Sequence, residues 1–269
     1  MKSQVRILSG IAFLGLLLWG CSKNDSSTDN LSLKQAINQG AENVNKAVDA
    51  IAATKAYSIF TINDITSKSE SVADPTYKVS IPLTSVSGVY EYKPVPKSDK
   101  WGFSLIQFFD RTADNSNMIV KLPLTKVEHP RSLRNYSPED PALTNNFSFS
   151  VSDYHNNYNS YWDFDYILAS EIAVDNVVTG NLDIKSVKSP VDGTHYASQF
   201  AFTGSYTAKY SYESGDPTVS SFAITENDKV LYEEQLKTIK NDDARFGRER
   251  EYILTIGDVQ ITRNSETKK

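Results

Sequence analysis

The sequence predicts a mainly β protein in which one N-terminal amphipathic helix packs on a large antiparallel sheet, either a half-barrel or a sandwich. Apolar and polar residues alternate with period two in many segments between about residues 57 and 263. Turn-forming clusters separate these segments, and only one long stretch has clear helical periodicity. Because helical stretches do not alternate regularly with the strands, a βαβ arrangement is disfavoured.

The helix is predicted at about residues 33–55, before the strands. Its apolar residues recur at steps of three and four, which places them on one face: Leu33, Ile37, Ala41, Val44, Val48 and Ile51. Ser32 and Gln35 fit a capping box at its start. Gly40 inside it costs about 1 kcal/mol relative to alanine. We expect the apolar face to pack on the core of the protein.

Alternating segments such as 77–83, 147–151, 206–212 and 252–256 predict strands with one buried and one solvated face. Residues 230–239 fit a helix or a strand. The longest predicted loop, 129–146, contains three prolines. Residues 31–269 therefore form either one β domain or two packed β halves with their boundary near 129–146.

Composition and motifs exclude several classes of function. The chain has 28 basic and 33 acidic residues, a balance that argues against nucleic acid as a partner. Its single cysteine excludes a disulfide framework and a multi-cysteine metal site. The nucleophile-elbow, zinc-protease, Walker and dinucleotide motifs do not occur, and the three histidines fall in turn-like segments: His129, His155 and His195. We therefore expect no enzymatic activity, no catalytic residues, no metal and no cofactor.

The N-terminus has the pattern of an export signal. Lys2 and Arg6 precede an apolar run, residues 7–19, which is shorter than the roughly 20 residues needed to span a bilayer. The run ends in Leu18-Trp19-Gly20-Cys21, which resembles a lipobox, although Trp19 replaces the usual small residue. By these residues the chain resembles the lipoproteins of Gram-negative bacteria.

This resemblance implies a lipid anchor. Residues 1–20 would be a signal peptide that is cleaved, and Cys21 would carry diacylglycerol and an amide-linked acyl chain such as palmitate. Residues 21–30 would be a flexible, lipidated tether, because Ser22 to Asn30 contains no apolar residue. Ser22, where an aspartate would resemble an inner-membrane retention signal, favours the outer membrane. Its periplasmic and surface faces remain alternatives.

The segment 153–166 is unusually rich in aromatic residues, asparagine and aspartate. Its candidate ligand-binding residues are Tyr158, Tyr161, Trp162, Asp163 and Asp165. Aromatic rings beside amide and carboxylate groups suit sugar binding, and the same mixture lines many protein interfaces. The third interpretation is a hairpin whose rings fill the core, with asparagines at its turn. Asp163 and Asp165 would share one face of a strand, a spacing that acid–base catalysis also uses.

The order of elements loosely resembles that of the half-barrel carriers that move lipids or lipoproteins across the periplasm, in which a helix closes a greasy sheet. We therefore expect a non-enzymatic binding role at the outer membrane, with an apolar small molecule or an envelope protein as partner. The alternative is a surface lipoprotein that binds glycans through the aromatic residues of 154–166.

Overall fold

The structure, a computed structural model, describes residues 27–60, 78–93, 108–128, 143–240 and 248–265. It is mainly β, as predicted, and the strands in these ranges form one open sheet rather than two packed sheets. The predicted signal peptide 1–20, Cys21 and residues 129–142 of the predicted loop lie outside the described residues.

Four helices and thirteen strands occur within the described ranges. The helices are α1 (Ser27–Ala52), α2 (Lys55–Phe60), α3 (Leu83–Val86) and α4 (Leu124–Glu128). The first four strands are β1 (Val79–Pro82), β2 (Gly88–Tyr92), β3 (Phe109–Ala113) and β4 (Met118–Leu122). The remaining strands are β5 (Phe147–Ser160), β6 (Asp163–Val174), β7 (Val177–Ser189), β8 (Gly193–Phe202), β9 (Tyr206–Glu213), β10 (Thr218–Glu226), β11 (Lys229–Lys240), β12 (Arg248–Ile256) and β13 (Val259–Ser265).

Strands β5 to β13 form an antiparallel meander in which each strand pairs with the next. At the other side of β5, β4 pairs with it in antiparallel fashion, and β2 pairs with β4 in parallel. Strands from both sides of residues 129–142 therefore belong to one sheet. Residues 230–239, which fit either structure in the sequence, lie in β11 because ladders with β10 and β12 occupy both of its edges.

The two faces of the sheet differ in polarity. One face, here called the helical face, carries a row of directly opposite residues across five strands: Phe200, Ala208, Ile224, Tyr232 and Ile256. The other face, the polar face, carries hydrogen bonds and ion pairs such as Gln199 with Asp183 and Lys237 with Glu251. Because the side chains of a strand alternate, each strand contributes to both faces.

Helices α1 and α2 cover one end of the helical face. Val44, Ala47 and Ile51 of α1 are buried in a cluster with the sheet residues Ile224, Leu231, Tyr232, Leu254 and Ile256. Ala56 of α2 is buried in a second cluster with Phe147, Ile172, Val174 and Phe200. Burial of this apolar surface, at roughly 25 cal/mol per Å², is the main stabilisation of the helices on the sheet.

Helix α1 begins at Ser27, earlier than predicted, and includes the last four residues of the predicted tether 21–30. Periodicity identifies only the part of a helix that packs on an apolar surface, and polar residues continue a helix at a cost below about 1 kcal/mol each. The predicted apolar face is buried only in its second half, since Leu33 is 49% exposed. No helix among the described residues is both long and apolar enough to cross a bilayer.

The turns of the meander lie at two opposite ends of the sheet. At the helix-covered end, Asp175–Asn176 and Asn227–Asp228 are two-residue turns with positive φ at both positions, and Nζ of Lys55 lies 2.9 Å from Oδ2 of Asp175. The turns at 161–162, 190–192 and 214–217 form the far end. Strand β6 has 12 residues, so the ends are separated by about 40 Å.

Candidate functional site

The aromatic segment 153–166 forms the hairpin of β5 and β6, which one of its interpretations predicted. That interpretation was wrong in two details, because the turn is not at the asparagines and the rings of Tyr161 and Trp162 are exposed rather than in the core. Asn156 and Asn157 lie within β5, directly opposite Tyr166 and Asp165. Tyr161 and Trp162 form the turn instead. Asparagine is favoured in turns, but aromatic cross-strand pairs such as Tyr158 with Phe164 extend the ladder of this hairpin past the asparagines.

The structure divides the five predicted ligand-binding residues among three places. Tyr158 is opposite Phe164 on the helical face. Asp163 and Asp165 lie on the polar face, two positions apart in β6 as predicted. Tyr161 and Trp162 are in the turn at the far end of the sheet. A single site that uses all five side chains is therefore not formed.

The turn residues form a small exposed cluster with a lysine from β7. Tyr161 is 56% exposed and Trp162 is 64% exposed, and their ring centroids are 4.9 Å apart at an interplanar angle of 86°. Nζ of Lys188 lies 3.8 Å from the centroid of Tyr161 and 4.0 Å from that of Trp162. Because the rings are perpendicular, they do not form the flat platform on which two adjoining sugar rings would stack.

A group of polar side chains surrounds the two aspartates on the polar face. Nε2 of His155 lies 2.9 Å from Oδ2 of Asp165, and the amide of Asn159 donates to Oδ2 of Asp163 at 3.1 Å. The hydroxyl of Ser80 donates to the side chain of Asn157 rather than to His155. A hydrolytic triad needs a nucleophile that donates to the imidazole, and Ser80 does not do so here.

The histidines were predicted to lie in turn-like segments, and for two of them this is wrong. His155 and His195 lie in β5 and β8, because both strands extend into segments whose composition is typical of turns. His129 is outside the described residues. Within the described ranges, no three histidine, cysteine, aspartate or glutamate side chains are grouped so that they could hold a metal ion.

A second surface, which the sequence did not indicate, lies on the helical face next to the α1 cluster. Five directly opposite residues form a row across β9 to β13: Tyr210, Phe222, Glu234, Leu254 and Ile261. Leu236 and Tyr252 are opposite each other in the next row towards the far end. Alternation in the sequence places each residue on a face, but only the strand register aligns them into one row.

Four large apolar side chains remain exposed in these two rows. Their exposed fractions are between 38% and 42%, and they are here called the apolar patch: Tyr210, Phe222, Leu236 and Ile261. Single exposed apolar residues are common, whereas neighbouring ones on one face are typical of interaction sites. The apolar patch therefore lies directly beside the buried α1 cluster, on the part of the same face that the helix does not cover.

Glu234 is the one charged residue in the row, and tyrosines surround its carboxylate. The hydroxyl of Tyr232 donates to Oε1 of Glu234, and burial and this hydrogen bond raise the pKa of Tyr232 well above its ordinary value. Burial and the negative charge of Glu234 raise the pKa of Tyr252 to about 12. The ring of Phe222 lies 6.4 Å from that of Tyr232, edge to face. A carboxylate is thus held among aromatic rings beside the apolar patch.

Comparison of this chain with protein-family models, with curated proteins and with solved structures found no match.

Proposed function

We propose that this protein is an exported lipoprotein, anchored in the outer membrane through Cys21, that binds a protein partner through the apolar patch. Its role is to bind, without catalysis. The observation that carries the proposal is the exposure of Tyr210, Phe222, Leu236 and Ile261 on neighbouring strands of one face. Aromatic side chains such as Tyr210 and Phe222 add contact area at low conformational cost in protein interfaces.

The anchor is supported by the N-terminal sequence and is compatible with the position of α1. The chain's single cysteine is the residue that a lipobox requires. Helix α1 begins six residues after it, at Ser27, and residues 32–36 of the helix are exposed. Two or more acyl chains at Cys21 would give a durable anchor, since each buried CH₂ contributes about 0.8 kcal/mol.

A protein partner is favoured over an apolar small molecule enclosed beneath the helix. A carrier of the half-barrel kind needs an unfilled space between helix and sheet. In this protein Val44, Ala47 and Ile51 of α1 pack directly on sheet residues, and a Cβ atom at position 40 would lie within 3 Å of Ile256. The apolar patch beside α1, by contrast, is exposed on the same face of the sheet.

The anchor is tested by growth of expressing cells with an alkyne analogue of palmitate. The wild-type protein should take up the label and fractionate with the outer membrane. The Cys21→Ser variant should remain unlabelled and keep its signal peptide. Equal labelling of the two proteins would contradict the anchor.

The partner site is tested by a photoreactive amino acid placed in the full chain in intact cells. At Leu236, on the helical face, illumination should give one discrete cross-linked species. At Gln235, the neighbouring residue on the polar face, it should give none. A species of equal yield at both positions, or none at either, would contradict a partner on the patch.

The second candidate function is glycan binding at the far end of the sheet, and the exposure of Trp162 favours it. The perpendicular rings of Tyr161 and Trp162 would offer one stacking face each, beside the Lys188 ammonium group. Trp162→Ala should abolish retention on immobilised glycans, whereas Phe222→Ala should leave it unchanged. Retention of both variants, or failure of the wild type to bind, would exclude this function.

A further inference from the structure

We propose that Glu234 is the specificity-determining residue of the partner site, and that it binds an arginine side chain of the partner. This inference rests on the proposed function, since it names the chemistry that the partner presents to the apolar patch.

Glu234 lies between Phe222 of β10 and Leu254 of β12, directly opposite both. Phe222 is exposed, while Leu254 and Tyr232, which neighbour Glu234, are buried. A partner that covers the patch would therefore also cover Glu234 and remove water from its carboxylate.

Removal of water from a charged carboxylate is costly unless the partner supplies a compensating group. An uncompensated charge in an interface costs several kcal/mol, because its lost hydration is not replaced. Within the part of the chain that the structure describes, no lysine or arginine nitrogen lies within 4.0 Å of the Glu234 carboxylate. Arg263 of this chain lies on the same face, but it is opposite Tyr252 in the next row and two strands away from Glu234. A partner that covers the carboxylate would therefore supply the compensating cation.

The hydrogen bonds already present do not saturate the carboxylate. A carboxylate offers about four acceptor positions. The tyrosine hydroxyl of Tyr232 occupies one of them, on Oε1, and Tyr252 interacts with the same group. These hydroxyls hold the carboxylate in place and leave acceptor positions for a further donor.

The surroundings favour a guanidinium group over an ammonium group. Guanidinium is planar, less strongly hydrated than ammonium, and stacks on aromatic rings while it donates two hydrogen bonds to a carboxylate. The exposed ring of Phe222 and the Glu234 carboxylate are neighbours across two strands. A partner arginine could therefore contact both groups at once, as arginine does at many interface hot spots.

The test uses the full-length protein, purified in detergent, and fluorescence anisotropy of two labelled peptides. The first is Leu-Arg-Leu, and the second carries citrulline, a neutral isostere, in place of arginine. We expect the arginine peptide to bind at least about tenfold more tightly, because only it brings the charge. Equal affinities, or no binding of either peptide, would overturn the proposal.

Two variants assign the preference to one residue. Glu234→Gln should bind both peptides with equal affinity, while Glu233→Gln, changed at the neighbouring position on the polar face, should keep the tenfold preference. If Glu234→Gln does not fold, the peptide comparison on the wild type still decides the question. A preference that persists in a folded Glu234→Gln protein would overturn the assignment.

Failure of this inference is distinguishable from failure of the proposed function. If cross-linking at Leu236 persists while the two peptides bind equally, the patch binds a partner without an arginine and only the inference is wrong. If cross-linking at Leu236 is absent while the arginine peptide is preferred, the cation site stands and the proposed role in cells is wrong.

Discussion

Gly40 of α1 lies directly against Ile256 of β12: a Cβ atom at position 40 would be 2.8 Å from Cγ2 of Ile256 and 3.0 Å from its carbonyl oxygen. The absence of a side chain is therefore what lets the helix approach the sheet at this point. In the sequence alone this glycine only weakens a predicted helix, because glycine costs about 1 kcal/mol relative to alanine.

We expect Gly40→Ala to destabilise the protein, against the ordinary preference of a helix. The added methyl group would gain about 1 kcal/mol of helix propensity but would force the helix away from β12, and overpacking of this kind costs roughly 1–3 kcal/mol. Urea denaturation should show a net loss of about 1 kcal/mol. Asn43→Ala, at an exposed position of the same helix, should be neutral or slightly stabilising. A more stable Gly40→Ala protein would refute the close packing.

Two residues that the sequence placed on one apolar face should respond differently to truncation. Ile51 is buried in the α1 cluster, so Ile51→Ala should lower the free energy of unfolding by about 2–4 kcal/mol. Leu33 lies on the exposed first half of α1, so Leu33→Ala should change the free energy of unfolding by less than about 0.5 kcal/mol. Chemical denaturation of both variants makes the comparison, and similar losses would mean that the whole face is covered.

The contrast between Leu33 and Ile51 shows what a pattern in the sequence can establish. Period and alternation predicted the helix and strands such as 206–212 and 252–256 with one buried and one solvated face, because these features depend on neighbours along the chain. They left residues 230–239 open between helix and strand. They could not show where the sheet beneath the helix ends. The place where the sheet ends beneath the helix depends on which strands pair and in which register. The same pairing aligns the row from Tyr210 to Ile261 and brings Lys188 close to Trp162.

The tyrosines around Glu234 should make the free energy of unfolding decrease as the pH becomes alkaline. The pKa of Tyr252 is raised to about 12, so the folded protein keeps this proton more tightly than the unfolded chain, in which tyrosine titrates near 10. The resulting stabilisation is fully present below about pH 10 and is lost as the pH rises towards 12. Tyr252→Phe should therefore show a shallower decline across this window in urea denaturation at stepped pH.

The control for this titration is Phe222→Leu, which changes a neighbouring ring without the loss of an ionisable group. The free energy of unfolding of the Phe222→Leu protein should differ from that of the wild type by a similar amount at every pH. An unchanged slope in Tyr252→Phe would show that Tyr252 does not contribute to the alkaline decline.

Lys188 should stabilise the exposed aromatic turn through contact with the two rings. An ammonium group over an exposed aromatic ring contributes about 0.5–1 kcal/mol, so Lys188→Met should lower the free energy of unfolding by that amount. In a protein that also carries Tyr161→Ala and Trp162→Ala, the same change should have almost no effect, since the rings are absent. Lys185→Met, on the polar face of the same strand, is the control and should be neutral in both backgrounds. An equal loss from Lys188→Met with and without the rings would show that the lysine acts through other contacts.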